Sequence, residues 1–480
     1  MLVTMTYQRR DTRTPRILPM RLTRRDVLVT AAVPAAALAC GAMYGMVAPS
    51  SRNVGLVADQ QAIDTLGFDR RHAAVRTAMG VHGVDCLLVP INENLTYLTN
   101  VATIAYGAYL LFPKEGPPTL MINPISYWDA RAGRLTHTSY AGGELAQTIR
   151  DSSVVADVEG VSASDFVARI RAWCERRGLE RKTLGVVGRE YDFPRGGGTL
   201  VGVTGPPAVG SQFLKALSDA LPQMRMVDAT PVLAGVRAFK SPSEIQSLRR
   251  AADLADRCRL ALIYQLSLPG ATDSDLFAAY YQTLLAYGGA GSWWFMLSVN
   301  PSSAPQIQNW RDSPQGRRIE PGDIVMAEIM PAWRDGYVGH AESCMALETI
   351  AQTASYHKVE SVALQSHHDV VSQLRPGTSL NKVLAAADGP IAAAGLMRGA
   401  PIAYGLGLFG LEPPMLGLNE PAPPETTLHA GMVLCVICHV FDPATRVTVR
   451  TGSTQLITEQ GSECLNTRSV PGGLVRVSRS

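Results

Sequence analysis

Apolar residues recur at helical spacing from Phe68 to about Met79 and are followed by Val84-Asp85-Cys86-Leu87-Leu88-Val89-Pro90, which reads as a buried strand. Further short apolar runs lie at Ala108 to Phe112, Pro118 to Ile122 and Leu184 to Val187, alternating with helical segments such as Asp165 to Arg176. That alternation predicts a small α/β domain. The glycine runs Gly196-Gly197-Gly198 and Gly205-Pro206-Pro207 are loop material. No strand-to-helix context surrounds them, which excludes a phosphate cradle.

A boundary is predicted at residues 237–243. Ser241-Pro242-Ser243-Glu244 is a strong helix start, with serine as cap, proline in the first turn and glutamate at its third position. Ile245, Leu248, Ala252, Ala255, Cys258 and Leu262 then form one apolar face. The second half repeats itself. Leu268-Pro269-Gly270-Ala271-Thr272 recurs as Arg375-Pro376-Gly377-Thr378-Ser379, each between two helical stretches. Pro321-Gly322-Asp323-Ile324-Val325 recurs as Ala430-Gly431-Met432-Val433-Leu434, and the two offsets are 107 and 109 residues. Two similar offsets in the same order predict a duplicated α+β unit, related by a pseudo-twofold axis with a cleft between curved sheets.

Composition narrows this picture. With 46% hydrophobic and 18% charged residues the chain reads as a soluble α/β protein. The net charge of +3 is more than accounted for by the first 26 residues, where seven arginines face two aspartates. The remainder carries no basic surplus calling for nucleic acid. The same N-terminus reads as a targeting segment. Thr23-Arg24-Arg25-Asp26-Val27-Leu28-Val29 has the twin-arginine export pattern, followed by a charge-free apolar stretch from Val27 to Pro49. Ala37-Leu38-Ala39 offers a cleavage site and Cys40 a lipidation alternative, while an uncleaved anchor is the third reading. The expected location is therefore periplasmic, extracellular or membrane-anchored. Most of the eight cysteines sit in apolar runs and read as small core residues. Strand alternation points the sulfurs of Cys435 and Cys438 to opposite faces, which argues against zinc.

From residue 68 to about 465 the chain resembles the family of creatinase, prolidase, aminopeptidase P and ectoine hydrolase. Phe68-Asp69-Arg70-Arg71 through Asn94-Leu95-Thr96-Tyr97-Leu98-Thr99-Asn100 is similar to its N-terminal domain. Phe239-Lys240-Ser241-Pro242-Ser243-Glu244-Ile245, Glu320-Pro321-Gly322-Asp323, Gly336-Tyr337, Leu411-Glu412-Pro413-Pro414, Gly431-Met432-Val433 and Leu456-Ile457-Thr458-Glu459-Gln460-Gly461 follow in the family's order. The resemblance implies an α+β fold: a pita-bread catalytic domain over 240–466 with an internal pseudo-twofold repeat, preceded by a smaller α/β creatinase-like domain over 62–235. Residues 1–50 are then the export segment and 467–480 a tail. A homodimer is expected by resemblance only.

Metal-dependent members of the family hold two divalent ions with two aspartates, a histidine and two glutamates. The corresponding positions here are Glu328, His340, Tyr404, Ile437 and Gly452. At most two of the five could bind metal, so a dimetal centre is not expected and no cofactor is implied. Ectoine hydrolase and creatinase resemble this fold and act on small C–N substrates without metal. The ectoine hydrolase resemblance implies Glu328 as nucleophile or base and His340 as proton shuttle. The chemistry is sound, since a desolvated carboxylate can attack an acyl or amidine carbon and an imidazole carries protons near neutrality.

Candidate substrate-binding residues are Tyr404, His439, Glu412, Gln306, Trp294 and Trp333. Each has a plain structural reading as well. Glu328 lies in an apolar strand, where unpaired carboxylates are rarely structural. His340 could be a surface histidine, Tyr404 a core aromatic and Glu412 a helix-end acid. His439 shares a strand face with Ile437. Trp293, Trp294, Trp310 and Trp333 are expected around the pocket mouth, suiting a flat or cyclic organic substrate. The favoured function is metal-independent hydrolysis of a C–N bond in a small cyclic, amide- or amidine-like molecule. A lyase or tailoring enzyme of secondary metabolism, an Xaa-Pro metallopeptidase and a non-catalytic binding protein are the alternatives.

Overall fold

The structure is a computed structural model that describes residues 65–90, 93–101, 107–123, 126–129, 134–137, 153–162, 164–188, 210–300, 310–348, 353–399, 402–408, 410–417, 426–468 and 474–478. The export segment and Gln306 lie outside the described residues. Among the described residues no helix is long and apolar enough to cross a membrane. The chain divides into two compact units that meet in sequence between Phe239 and Lys240.

The first unit carries helices α1 (Thr65–Val81), α2 (Glu93–Thr99), α3 (Phe166–Arg176), α4 (Ser211–Ala220) and α5 (Thr230–Arg237). Its strands are β1 (Cys86–Pro90), β2 (Ala108–Pro113), β3 (Thr119–Ile122), the pair β4 (Ser126–Asp129) and β5 (Arg134–His137), β6 (Asp157–Gly160), β7 (Thr183–Val186) and β8 (Arg225–Asp228). The main sheet runs β6-β3-β2-β1-β7-β8 and is mixed: β1 pairs antiparallel with β2 and parallel with β7. Central β1 is buried along its whole length, as its unbroken apolar run requires. Trp173 of α3 is buried against this sheet and donates its indole N–H to Thr119 at 2.8 Å, so its one polar atom is satisfied.

The second unit is a duplication. Its first half comprises α6 (Pro242–Leu266), α7 (Asp273–Ala286), β9 (Gly289–Asn300), β10 (Ile324–Trp333) and β11 (Ala341–Leu347). The second half comprises α8 (Thr353–Gln373), α9 (Leu380–Ala393), β12 (Met397–Arg398), β13 (Ala403–Gly407), β14 (Gly410–Leu416), β15 (Val433–Phe441) and β16 (Thr448–Ile457), followed by β17 (Ser462–Cys464) and β18 (Leu474–Val477). In one sheet β10 lies between β9 and β11; in the other β15 lies between β13 and β16. All four of these pairings are antiparallel.

The repeat extends to the turns. Gly270 and Gly377 both take left-handed backbone, φ 74° and 80°, between paired helices. Thr272 and Ser379 then cap α7 and α9, each accepting a backbone N–H three residues on. At the start of α6, Ser241 and Glu244 form the expected reciprocal cap.

Strand alternation sorts the inner from the outer faces. Ala327 and Ile329 of β10 pack with Leu254, Cys258 and Leu262 of α6 and with Leu276 and Tyr280 of α7. Glu328 and its neighbours Met326 and Met330 therefore face the opposite way. On β16, Ser453 turns toward α8, where it meets His367, while Arg450 and Gly452 turn away from that helix toward β11. One departure concerns the C-terminus. The stretch 467–480, expected as a tail, supplies β18, which pairs in parallel with β11. Leu474 and Val477 are buried there, and this closes an otherwise open edge.

Candidate active site

The inner faces of the two sheets bring polar groups together in an apolar setting. Glu328 of β10 lies directly opposite Glu342 of β11 in the strand register. Arg450, from β16 of the other half, reaches between them. Its Nη2 donates to Glu342 Oε1 at 2.6 Å and lies 3.3 Å from Glu328 Oε2. His340, just before β11, places Nε2 3.1 Å from the same Glu342 oxygen. Trp310 underlies the guanidinium, 4.8 Å from its carbon to the ring centre.

The backbone of His340 is clamped. Its N–H donates to Thr454 Oγ1 at 3.2 Å, and its carbonyl accepts from Thr454 Oγ1 at 3.1 Å and from Asn466 Nδ2 at 3.0 Å. Asn466 also donates to Asp256 of α6 at 3.0 Å, tying the site to the helix layer. Gly339 lies so close to the Ala251 backbone that a side chain there would collide with it.

Electrostatics assign different states to the charged groups. Burial pushes the Glu328 carboxyl above its ordinary range, and Glu342 adds to this. Arg450, His340 and Trp294 pull it partly back without cancelling the burial. The buried indole N–H of half-buried Trp294 faces this carboxyl but falls short of a well-formed hydrogen bond. Burial opposes charge on Arg450, yet Glu328 and Glu342 outweigh it and keep the guanidinium firmly charged. Tyr404 is held as a phenol, chiefly by burial and then by Cys435 and Glu328.

The sequence-predicted residues divide into three groups. Glu328, His340, Tyr404 and Trp294 do come together. The Tyr404 ring meets His340 edge to face at 6.5 Å, and its hydroxyl points at Met330 Sδ, 3.6 Å away. Trp294 pairs with Met330 on the face of β10 that carries Glu328. His340, however, is fully buried with its ring turned to Glu342, so it stands one group back from Glu328 and does not reach a substrate directly.

His439 takes the expected strand face, opposite Arg450 in the register, but its Nε2 is committed to Thr448 Oγ1 at 2.7 Å. Glu412 is not a substrate carboxylate. It is buried, 2.5 Å from Lys240 Nζ, and accepts the Leu408 N–H at 3.1 Å. Trp333 is not in the cleft either. It is an odd number of residues from Glu328, so alternation turns it to the helix side, where it packs on the α6–α7 core. The expected opposition of Cys435 and Cys438 is seen: Cys435 lies against Tyr404, and Cys438 accepts from Ser366 of α8 at 3.5 Å.

Two residues of the site were not singled out from the sequence. Glu342 lies two positions after His340, and Arg450 two before Gly452. In each case the period-two rule already put them on the cleft face.

The residues do not fit the dimetal centre of the metal-dependent relatives. Of the five corresponding positions, Glu328 and His340 offer donors and Tyr404 a buried neutral phenol. Ile437 and Gly452, which pair across β15 and β16, offer none. A side chain on Gly452 would run into Glu342 Cγ at 2.8 Å and His340 Cε1 at 3.0 Å, so the space of the missing carboxylate is filled by the site itself.

Two buried histidines nearby make the unit acid-sensitive. Burial, reinforced by Arg450, lowers His439 to about 3, and burial lowers His367 to about 4, from an ordinary 6.5. The folded state therefore refuses protons that the unfolded chain accepts, and stability falls as pH drops below 6.5. His439→Gln is expected to remove about 2 kcal/mol of this loss at pH 5. Thermal melts at pH 7.5 and 5.0 check it: the variant should lose less than the unsubstituted chain, and an equal loss would contradict the assignment.

Comparison with known proteins agrees with this architecture. Residues 246–459 match the model of Metallopeptidase family M24, and residues 71–194 match the Creatinase/Prolidase N-terminal domain. The chain is 25% identical over 270 residues to a probable dipeptidase PepE of Mycobacterium bovis, covering 54% of this chain and 69% of that protein. It is 24% identical over 391 residues to an Xaa-Pro dipeptidase of Pyrococcus horikoshii, covering 81% and 94%. In structure it is similar to dipeptidase PepE from Mycobacterium ulcerans, with a TM-score of 0.68 at 22% identity over 86% of this chain and 99% of the other. With both domains matched in chain order, the chain belongs to the creatinase, prolidase and aminopeptidase P family, its second domain being of Metallopeptidase family M24.

Proposed function

We propose that the chain hydrolyses a C–N bond of a small amide- or amidine-like molecule through Glu328, without a divalent metal. The observation that carries this reading is the Arg450 guanidinium held between Glu328 and Glu342, where two carboxylates would otherwise face each other. Ile437 and Gly452 add no ligand from the second half. Glu328 is the group suited to meet a substrate, since its side chain keeps 11% of its exposure while that of Glu342 keeps none. With its pKa raised, it can take a proton from water as the oxygen bonds to the acyl or amidine carbon. It then returns that proton to the nitrogen as the C–N bond breaks. Direct attack by the carboxylate is the covalent variant of the same step. His340 holds Glu342, and through it Arg450, in place.

The names of the relatives favour a second reading, a dipeptidase or Xaa-Pro dipeptidase that uses metal. A peptide bond is itself an amide C–N bond, so the two readings differ most sharply over metal. One experiment separates them. The purified full chain is assayed for metal content and for hydrolysis of dipeptides, Xaa-Pro dipeptides, cyclic amides and amidines, before and after exhaustive chelation. Turnover unchanged within about twofold by chelation is expected, because the general acid–base term here comes from a side chain. Turnover lost on chelation and restored by manganese, cobalt or zinc would establish the metallopeptidase.

A further inference from the structure

We propose that Glu328, His340 and Glu342 form a single-metal site that Arg450 keeps closed by serving as its built-in counter-cation. One donor atom from each of the three residues lies within 4.8 Å of the other two. Two carboxylates and an imidazole are a donor set suited to zinc, with water as a fourth ligand. Tetrahedral bonds of about 2.1 Å to one ion place donors about 3.4 Å apart, so the cluster needs to contract by up to about 1.4 Å.

Spare donor capacity is already present. Glu342 Oε2 is buried without a hydrogen-bond partner, on a side chain that is wholly inaccessible. A buried atom of this kind is normally satisfied, and its presence points to a ligand-competent cluster.

What fills the charge requirement instead is Arg450. One nitrogen, Nη2, serves both carboxylates, and Trp310 supports the guanidinium from below. A guanidinium cannot shed its proton within a protein, so a divalent ion would meet a fixed like charge at contact distance. Arg450 thus does by covalent tether what a bound cation does elsewhere, and it excludes that cation while in place.

The proposal shares Arg450 with the hydrolase reading but is tested by binding alone, so the two fail separately. Metal-dependent turnover of the native chain sinks that reading; the outcomes below decide this one. Zinc is titrated calorimetrically into the metal-free full chain and into R450M, R450Q and R450K. R450M and R450Q are expected to bind one zinc per chain at least about 100-fold more tightly than the native chain, as removal of a contact charge from a buried site implies. R450K retains the cation and is expected to behave like the native chain. Adding E342Q to R450M should weaken binding at least about 10-fold, because one of three ligands is lost.

The proposal is overturned if folded R450M and R450Q bind zinc no better than the native chain. It is overturned equally if the native chain binds as tightly as they do, or if R450M/E342Q keeps the full affinity of R450M. If the two neutral variants do not fold alone, they are refolded with and without zinc. Zinc-dependent recovery of native circular dichroism is then expected, and no recovery overturns the proposal.

Discussion

Glu328→Gln is expected to cut hydrolysis by about 10²–10⁴-fold while making the fold more stable at neutral pH. The loss of rate follows from the role of the carboxyl as the proton-transferring group of the cleft. The gain in stability follows from its environment. Burial raises the folded pKa of Glu328 above its ordinary 4.5, which means that ionising it costs the folded state more than the unfolded chain. For an acid raised in this way, its share of stability is fully present below pH 4.5 and is lost as pH rises through the folded value. Glutamine cannot ionise, so E328Q escapes that loss. Arg450 still keeps Glu342 as a 2.6 Å partner, and the guanidinium is not stranded.

Melting curves at pH 4 and pH 8 make the test. The native chain and E328Q should differ little at pH 4, and E328Q should melt higher at pH 8. A variant that melts lower at pH 8 would show that Glu328 is a structural partner of Arg450 first and a reactive carboxyl second. Retained turnover would remove it from the chemistry altogether.

Lys240→Met is expected to destabilise the second unit by about 3–5 kcal/mol, the usual cost of stranding one partner of a buried ion pair. Lys240 Nζ and Glu412 Oε2 are 2.5 Å apart, with side chains 1% and 2% exposed. The pair joins the N-terminal edge of the unit to β14, so the loss spreads beyond one contact. A shift in midpoint of roughly 10 °C follows for a unit of this size. The double variant K240M/E412Q removes the stranded charge together with its partner and should recover a large part of the loss. Denaturant melts of the two single variants and the double variant give the coupling directly. A K240M variant within about 0.5 kcal/mol of the native chain would show that the pair contributes little and that Glu412 is available for another role.

The period-two rule shows how far the sequence reached and where it stopped. It kept Cys435 and Cys438 apart and put His439 on the strand face of Ile437. Applied to Trp333 it gives the helix face, which is where that ring packs. Strand alternation therefore decided what the expectation of an aromatic pocket mouth did not. Glu412 was legible as an acid next to Pro413-Pro414, but its partner Lys240 is 172 residues away in the chain. Nothing local distinguishes a carboxylate bound by such a lysine from one open to a substrate.

By itself, the sequence determined the α/β first unit, the start of α6 and the duplication of the second. These rest on local physics: caps that satisfy the first N–H groups of a helix, glycines that take positive φ, and side chains that alternate along a strand. It also put Ile437 and Gly452, which have no donor atom to offer, at two of the positions that the resemblance sets against the family's metal ligands. Only the tertiary structure decided which groups meet Glu328. Arg450 and Glu342 are 108 residues apart and meet because β16 packs across β11. His340 moved behind Glu342 for the same reason, held there by Thr454 and Asn466 from the far end of the chain. Charge pairing in a buried cleft depends on which side chains the fold brings within about 3 Å of one another, and the order of residues along the chain does not record that distance.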